Sequence, residues 1–539
     1  MKWWGWGSKD REYGLKNKEK LLDYLKDLLD LDLTEYPPID FKDIQLPKLT
    51  ISDNKIDKIK TLAESYTSKE ERLIHSYGKS YKDLIRIRKG DIEYAPDIIC
   101  YPKATSEVQD IIKFAKDNTL KIVPFGGGTS VVGGVETTCE GTICMDLKKL
   151  DKLFYIDKNS HIASVQAGIL GPDLEEELNE EGFTLGHYPQ SFEYSTLGGW
   201  IATRGAGQNS TKYGKIEDMV EALTMCYPNG KISTKIIPAS ASGSDIKQIL
   251  IGSEGTLGII TDAIIKLHPI PEEKHYCGFL LKNFEDGSDS LKYLMQNGIT
   301  PSVARLSDPQ ETKSMIKIGS SESQGLISNL AKGIIKKYIS KKGYTGDDAC
   351  MMILGFEGLK DEVEFKLKQA KKIIPGFYLG TTPGDHWYKN RFELPYLRDD
   401  LIDIGMLVDT LETATNWDNI PKLYGHITKN IQNAIGSYGV NGMVQAHISH
   451  IYKEGAALYY TFVAKAIPGK EIEQLETIKD AAMKAIVLNG GTISHHHGIG
   501  LDHAKWLECE HGKEGKEVLK VLKQHFDPQN VLNPQKMGV

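Results

Sequence analysis

The chain has 539 residues, 40% of them hydrophobic, enough for two or three domains with well-formed cores, and this excludes a disordered protein. A formal net charge of −7 and a pI near 6.1 leave no basic footprint, so no nucleic-acid partner is expected. Seven cysteines without a close pair argue against a disulfide scaffold or a zinc ribbon, and no apolar run reaches the roughly 20 residues that cross a bilayer.

Residues 1–90 are charged and carry a helical leucine pattern at Leu21, Leu22, Leu25, Leu28 and Leu29, followed by a linker marked by Pro37, Pro38 and Pro47. They predict a helical N-terminal extension. From about 91 the texture changes. Ile98–Tyr101 reads as a strand, Ser106-Glu107-Val108-Gln109 as a capping box opening a helix, and 121–124 as a second strand ending in a glycine run. Short strands over 162–168 and 258–267 carry this domain to 272. Residues 273–480 mix strands and helices without glycine loops and predict a separate covering domain. A helix over 471–488 should stop at Asn489-Gly490-Gly491, after which 481–539 returns to complete the site and the first domain. Within the covering domain, Leu326, Ile327, Leu330, Ile334, Ile335, Tyr338 and Ile339 share one helical face edged by lysines. That face suits a membrane surface or an ordinary surface helix.

The glycine run is Pro124-Phe125-Gly126-Gly127-Gly128-Thr129-Ser130. Without Cβ atoms its backbone can turn N–H groups onto a diphosphate, and two hydroxyls add donors. Counting from Gly126, the sixth position is Val131, so the dinucleotide fingerprint fails, and the Lys-Ser/Thr ending of a P-loop is missing. A Rossmann domain and an ATPase therefore lose ground. A second glycine-bearing segment, Glu254-Gly255-Thr256-Leu257-Gly258-Ile259-Ile260, follows later.

With Gln190-Ser191-Phe192-Glu193-Tyr194-Ser195-Thr196 and Thr203-Arg204-Gly205-Ala206, these segments resemble the vanillyl-alcohol-oxidase (p-cresol methylhydroxylase) type of FAD-binding proteins. The resemblance implies an α+β fold in which a two-subdomain FAD-binding domain over 91–272 carries an α+β cap over 273–480. It assigns all four segments to the cofactor, bound non-covalently, with His187 a remote candidate for a tether. Within that superfamily the chain is most similar to the alkyldihydroxyacetonephosphate synthases, through Lys2-Trp3-Trp4-Gly5-Trp6-Gly7, Tyr213-Gly214-Lys215-Ile216-Glu217-Asp218 and, above all, Ser494-His495-His496-His497-Gly498. That branch implies an ether-lipid reaction in which the acyl chain of acyl-dihydroxyacetone phosphate is exchanged for a long-chain fatty alcohol, with FAD as a covalent catalyst and no net redox. It also implies a peripheral membrane protein, a homodimer and a peroxisomal location, although neither end shows a matching address.

The same resemblance assigns roles. Tyr459 is the proton-handling group, with Tyr460 the alternative if the register slips by one; either could be a strand tyrosine in a core. His495, His496 and His497 line the headgroup; were the run extended, alternation would send His496 to the opposite face. Arg398 holds the substrate phosphate and Arg305 shapes the pocket. No metal is expected, a transition-metal site drawing on His447 and His450 being the competing reading. The main rival is a flavin-dependent D-2-hydroxy-acid dehydrogenase, which would show a Gly-Asp-Gly-Asn-Leu-His segment where this chain has Lys453-Glu454-Gly455-Ala456-Ala457-Leu458-Tyr459-Tyr460. A flavin-binding protein without activity is the third reading.

Overall fold

The computed structural model describes residues 1–11, 18–29, 36–319, 343–344 and 347–539, so the apolar face at 326–339 lies outside the described residues. Among the described residues, sheets of four, five and seven strands organise the chain, with a two-stranded ribbon of Phe183–Thr184 and His268–Pro269 beside them. The first has four strands, Glu64–Tyr66, Ile98–Tyr101, Thr142–Asp146 and Lys121–Phe125 in that spatial order, with the last three parallel. Its parallel strands are apolar nearly throughout because both faces are covered, as parallel pairing requires. Glu64–Tyr66 pairs antiparallel to Ile98–Tyr101, so this sheet begins inside the segment expected to be an extension. The helix Thr105–Asp117 follows with Val108, Ile111, Ile112 and Ala115 buried. The expected capping box does not form. Ala104 is the N-cap, Ser106 already lies in the first turn, and the Glu107 carboxylate accepts the Lys103 N–H at 2.8 Å instead.

The second sheet is antiparallel, in the order Leu153–Asp157, Ile162–Gln166, Ile259–Lys266, Val220–Tyr227, Gly230–Ser233. The chain's last residues return to the first sheet: Ile122 N–H donates to Val531 at 2.8 Å and Asn533 N–H to Ile122 at 2.7 Å.

The cap is a seven-stranded antiparallel sheet, ordered Phe377–Gly380, Glu273–Leu281, Cys350–Gly358, Val303–Ser307, Gly442–Ile451, Gly455–Lys465, Met406–Asn416. Period-two alternation gives it an apolar face, with Ala446, Ile448, Leu458, Tyr460, Phe462 and Leu411 in one core with the helices Ile420–Gly436 and Glu471–Leu488. The opposite face carries polar side chains toward the first domain. Ahead of all this, the opening residues form a strap. Trp3 and Trp6 are buried, Trp6 N–H donates to Asp399 Oδ2 at 2.6 Å, and the Lys2 carbonyl accepts from Lys79 Nζ at 2.8 Å.

Candidate active site

The four glycine-bearing or neighbouring segments singled out in the sequence meet at one place. A Cβ on Gly127 would run into the Tyr194 carbonyl oxygen and one on Gly126 into Thr196 Oγ1, while Gly128 holds φ +66°. Glu254 and Gly255, at φ 49° and 74°, close the other side, with Gly255 against the Pro124 ring and the Glu254 N–H on the Ala202 carbonyl at 2.9 Å. Thr196 caps the helix Leu197–Thr203, Arg204 ends it at φ 51°, and the Gly205 N–H returns to Trp200 at 3.0 Å, with Ala206 buried behind. The backbone N–H groups from Gly126 to Ser130, Thr129 among them, donate to no other protein group among the described residues. A concave run of unpaired donors with no Cβ to block approach fits the pyrophosphate of a dinucleotide.

Other members of those segments serve the scaffold. Gln190 donates to the Arg391 carbonyl, Phe192 stacks on Phe392, Glu193 pairs with Arg11, Tyr194 and Tyr396 share a 2.9 Å hydroxyl contact, and Ser195 Oγ accepts from the Trp200 indole and donates to the Ser191 carbonyl. Thr256 bonds back to Ser253, Gly258 lies against Met225, and Leu257, Ile259 and Ile260 are core residues. What these stretches offer a cofactor is therefore main chain, which the residue names alone do not reveal.

The polar face of the cap supplies the side chains. Register places Ser307, His447, Tyr459 and Glu412 side by side on four neighbouring strands. Tyr459 therefore faces the site, stacked on His447 with ring centroids 5.1 Å apart, whereas Tyr460 points into the core and donates to the Tyr424 carbonyl. Burial raises the Tyr459 phenol; Thr410 and Arg398 work the other way. The next histidine arrives by a different device. Alternation would put His450 with Ile448 on the apolar face, but the register shifts between Ser449 and Ile451, and His450 takes φ +54°. This bulge re-aims the ring into the site, where its Nδ1 lies 2.6 Å from Ser210 Oγ.

The three consecutive histidines are not extended. Their backbone wraps a carboxylate that the sequence did not single out: Glu412 accepts the N–H groups of His495 at 2.6 Å, His496 at 3.1 Å and His497 at 2.9 Å, and the Ser494 hydroxyl at 3.0 Å. Burial disfavours its charge, but the His497 and His495 rings and these backbone donors outweigh that and hold it at about 2. Two of the rings consequently lie beside Tyr459, His496 stacked at 6.1 Å and His497 edge-on at 5.6 Å, while the His495 ring turns to Tyr452 and His450. Burial lowers the His495 and His496 pKa well below the ordinary value and lowers that of His497, so the rings are neutral at neutral pH. The far end of the loop is held by Glu254, which accepts the Ile499 N–H at 2.6 Å and the Gly500 N–H at 2.7 Å. Here burial dominates and raises the carboxyl to about 7.

The two arginines separate cleanly. Arg305 spends both terminal nitrogens on the protein, Nη2 donating to Glu311 at 2.6 Å and Nη1 lying 3.0 Å from His447 Nε2, and leaves its buried Nε alone without a partner among the described residues, so it positions the ring that stacks on Tyr459. Arg398, on the helix Leu394–Asp403, spends Nη1 on the Lys79 carbonyl at 2.7 Å, and its buried Nε and Nη2 have no partner among the described residues. Two unpaired donors of a rigid fork form a ready anion site. His187 is fully buried against Trp200 with both ring nitrogens unpaired among the described residues, and burial lowers it to about 3.

Comparison with known proteins completes the description. Residues 96–234 match the family described as FAD binding domain, and residues 270–537 that of the FAD linked oxidases, C-terminal domain. The alkyldihydroxyacetonephosphate synthase of Dictyostelium discoideum is 36% identical over 472 residues, covering 86% of this chain and 77% of that protein. A solved structure of an alkyldihydroxyacetonephosphate synthase superposes with a TM-score of 0.85 at 31% identity, covering 99% of this chain and 98% of that one. A p-cresol methylhydroxylase structure with substrate bound shares the fold, with a TM-score of 0.68 at 14% identity, covering 92% and 98%.

Proposed function

For a chain that belongs to the alkyldihydroxyacetonephosphate synthase family of FAD-dependent enzymes, we propose that the site exchanges the acyl chain of acyl-dihydroxyacetone phosphate for a long-chain fatty alcohol, releasing a fatty acid and leaving FAD non-covalently bound and without net reduction. The observation that carries this reading is the pairing of an unsatisfied arginine fork with a buried tyrosine ringed by neutral imidazoles.

Bound FAD supplies the nucleophile and electron sink that no side chain here provides. The protein's share is binding, orientation and proton handling. Arg398 Nε and Nη2 take the substrate phosphate, which fixes the glycerone carbons relative to Tyr459. Tyr459 is a phenol at neutral pH because burial raises it, and with neutral His496 and His497 rings beside it, it is the group placed to exchange a proton with the substrate carbon. His447, held by Arg305 and Glu311, keeps the tyrosine ring in plane. Both chains of such substrates are membrane-soluble, so peripheral attachment belongs to the proposal, and flotation with liposomes tests it.

The decisive assay combines flavin-loaded protein, acyl-dihydroxyacetone phosphate and labelled hexadecanol without an electron acceptor. Ether product and fatty acid should appear in equal amounts over many turnovers with the flavin still oxidised. Flavin bleaching by D-lactate, with no ether formed, would establish the dehydrogenase instead. Arg398→Ala should weaken apparent affinity for the phosphorylated substrate about 10- to 100-fold, the value of a charged hydrogen-bond pair, with flavin content unchanged. Tyr459→Phe should cost about 10²- to 10⁴-fold in turnover.

A further inference from the structure

Three imidazoles in this site form a figure that proton handling does not require. The ring centroids of His450, His495 and His496 stand 5.2 Å from one another on every side. One nitrogen from each lies within 4.8 Å of the other two, and His495 Nδ1 and His496 Nδ1 are 3.0 Å apart. We propose that His450, His495 and His496 form a binding site for a divalent first-row transition ion of the zinc class.

Three features support it. Two of the three outer nitrogens are already engaged: Ser210 Oγ lies 2.6 Å from His450 Nδ1, and the Tyr452 hydroxyl lies 2.6 Å from His495 Nε2. Such partners fix the tautomer and turn the other nitrogen inward, as they do around metal-bound histidines. Zinc–nitrogen bonds of about 2.0–2.1 Å put neighbouring ligand nitrogens roughly 3.3 Å apart, close to the observed 3.0 Å contact, and the His450 nitrogen, within 4.8 Å of both, has to close by up to roughly 1.5 Å. The local charge also suits a cation. Glu412 Oε2 lies 3.9 Å from His496 Nδ1, and two ammonium groups near the loop are themselves paired with carboxylates, Lys215, whose Nζ donates to the His495 carbonyl, with Glu217 at 3.2 Å and Lys479 with Asp409 at 2.9 Å. Burial keeps all three rings neutral, the form that ligates, with His450 at about 3. The carboxylate that gathers the histidine backbone thus also sets up the triangle. An ion there would tie up His496, one of the two loop imidazoles that lie beside Tyr459.

The test uses tag-free, flavin-loaded protein titrated with Zn²⁺ against a chromophoric chelator. One ion per chain should bind. His450→Gln should weaken that binding at least about 100-fold, and Ser210→Ala, which only removes the hydroxyl behind the ring, about 10- to 100-fold. Cu²⁺ on the unaltered protein should show electron paramagnetic resonance splitting from several imidazole nitrogens, a readout that needs no variant. Absence of a stoichiometric ion, affinity unchanged in both variants, or an oxygen-dominated copper spectrum would overturn the proposal. None of these readouts depends on which reaction the enzyme catalyses.

Discussion

The two ends of the loop from Ser494 to Gly500 are gripped in the same way, by carboxyl groups whose pKa values are shifted in opposite directions. At one end Glu412, reaching from the cap sheet, takes four donors and stays ionised, with its carboxyl at about 2. At the other Glu254, reaching from the FAD domain, takes two and is raised by burial to about 7. Both are buried, so depth does not separate them. The difference lies in how many dipoles and neighbouring groups stabilise the anion against lost hydration. One loop is thereby moored to a fixed charge on the cap and to a titrating group on the domain below.

Removing the fixed charge should have the largest effect. Glu412→Ala strands four buried donors and should cost about 3–5 kcal/mol in denaturant melts at pH 7.5, with turnover falling to background as the histidines lose their arrangement. The paired substitution to glutamine is sharper. Glu412→Gln should cost about 2–3 kcal/mol, because charge is what the donors are matched to, while Glu254→Gln at pH 6, where the native group is mostly protonated, should stay within about 1 kcal/mol of the parent. Equal costs at the two positions would dissolve the contrast.

The finest test is the pH slope. Glu254 has a folded pKa raised from 4.5 to about 7, so its contribution is complete below about 4.5 and is lost as pH rises through 7. Glu412 is depressed from 4.5 to about 2, so its contribution is complete above about 4.5 and is lost as pH falls through 2. Each integrates to something on the order of 3 kcal/mol. Between pH 5 and 8, the stability of Glu254→Gln should therefore rise relative to the parent, and that of Glu412→Gln should stay at a constant deficit. A parallel offset for both variants would show that Glu254 does not titrate in this range.

The sequence displays these two regions unequally. The cradle is legible because it is contiguous: a strand, three glycines and two hydroxyls follow one another, and their chemistry needs little more than backbone. Tyr459, Arg398 and the histidine run are legible through family likeness, and the register of the cap decides between Tyr459 and Tyr460 by facing them oppositely. Glu412 is not legible. It is an unremarked glutamate in a strand, and only cross-strand pairing brings it beside Tyr459. Glu311 escapes for a similar reason, meeting Arg305 and His447 through a helix and two strands. His450 sits at a position that alternation assigns to the core, and a bulge overrules it. The failed capping box on Thr105–Asp117 shows the same limit locally, since an Ala N-cap leaves no side-chain signal to read.

The strap at the start of the chain bears on the timing of assembly. Its anchor, Trp6 on Asp399, joins residues 393 positions apart, and Gly5 and Gly7 pack on Asp399 and Tyr396. During synthesis at about 5–20 residues per second, the strap waits roughly 20–80 s for the helix carrying Arg398 to emerge. Trp6 stays without this anchor over that interval, whereas Trp3 packs on residues 44–95 and can be covered early. Docking of the strap should therefore be among the last events of folding, slow and sensitive to anything that binds exposed aromatic chain on the ribosome.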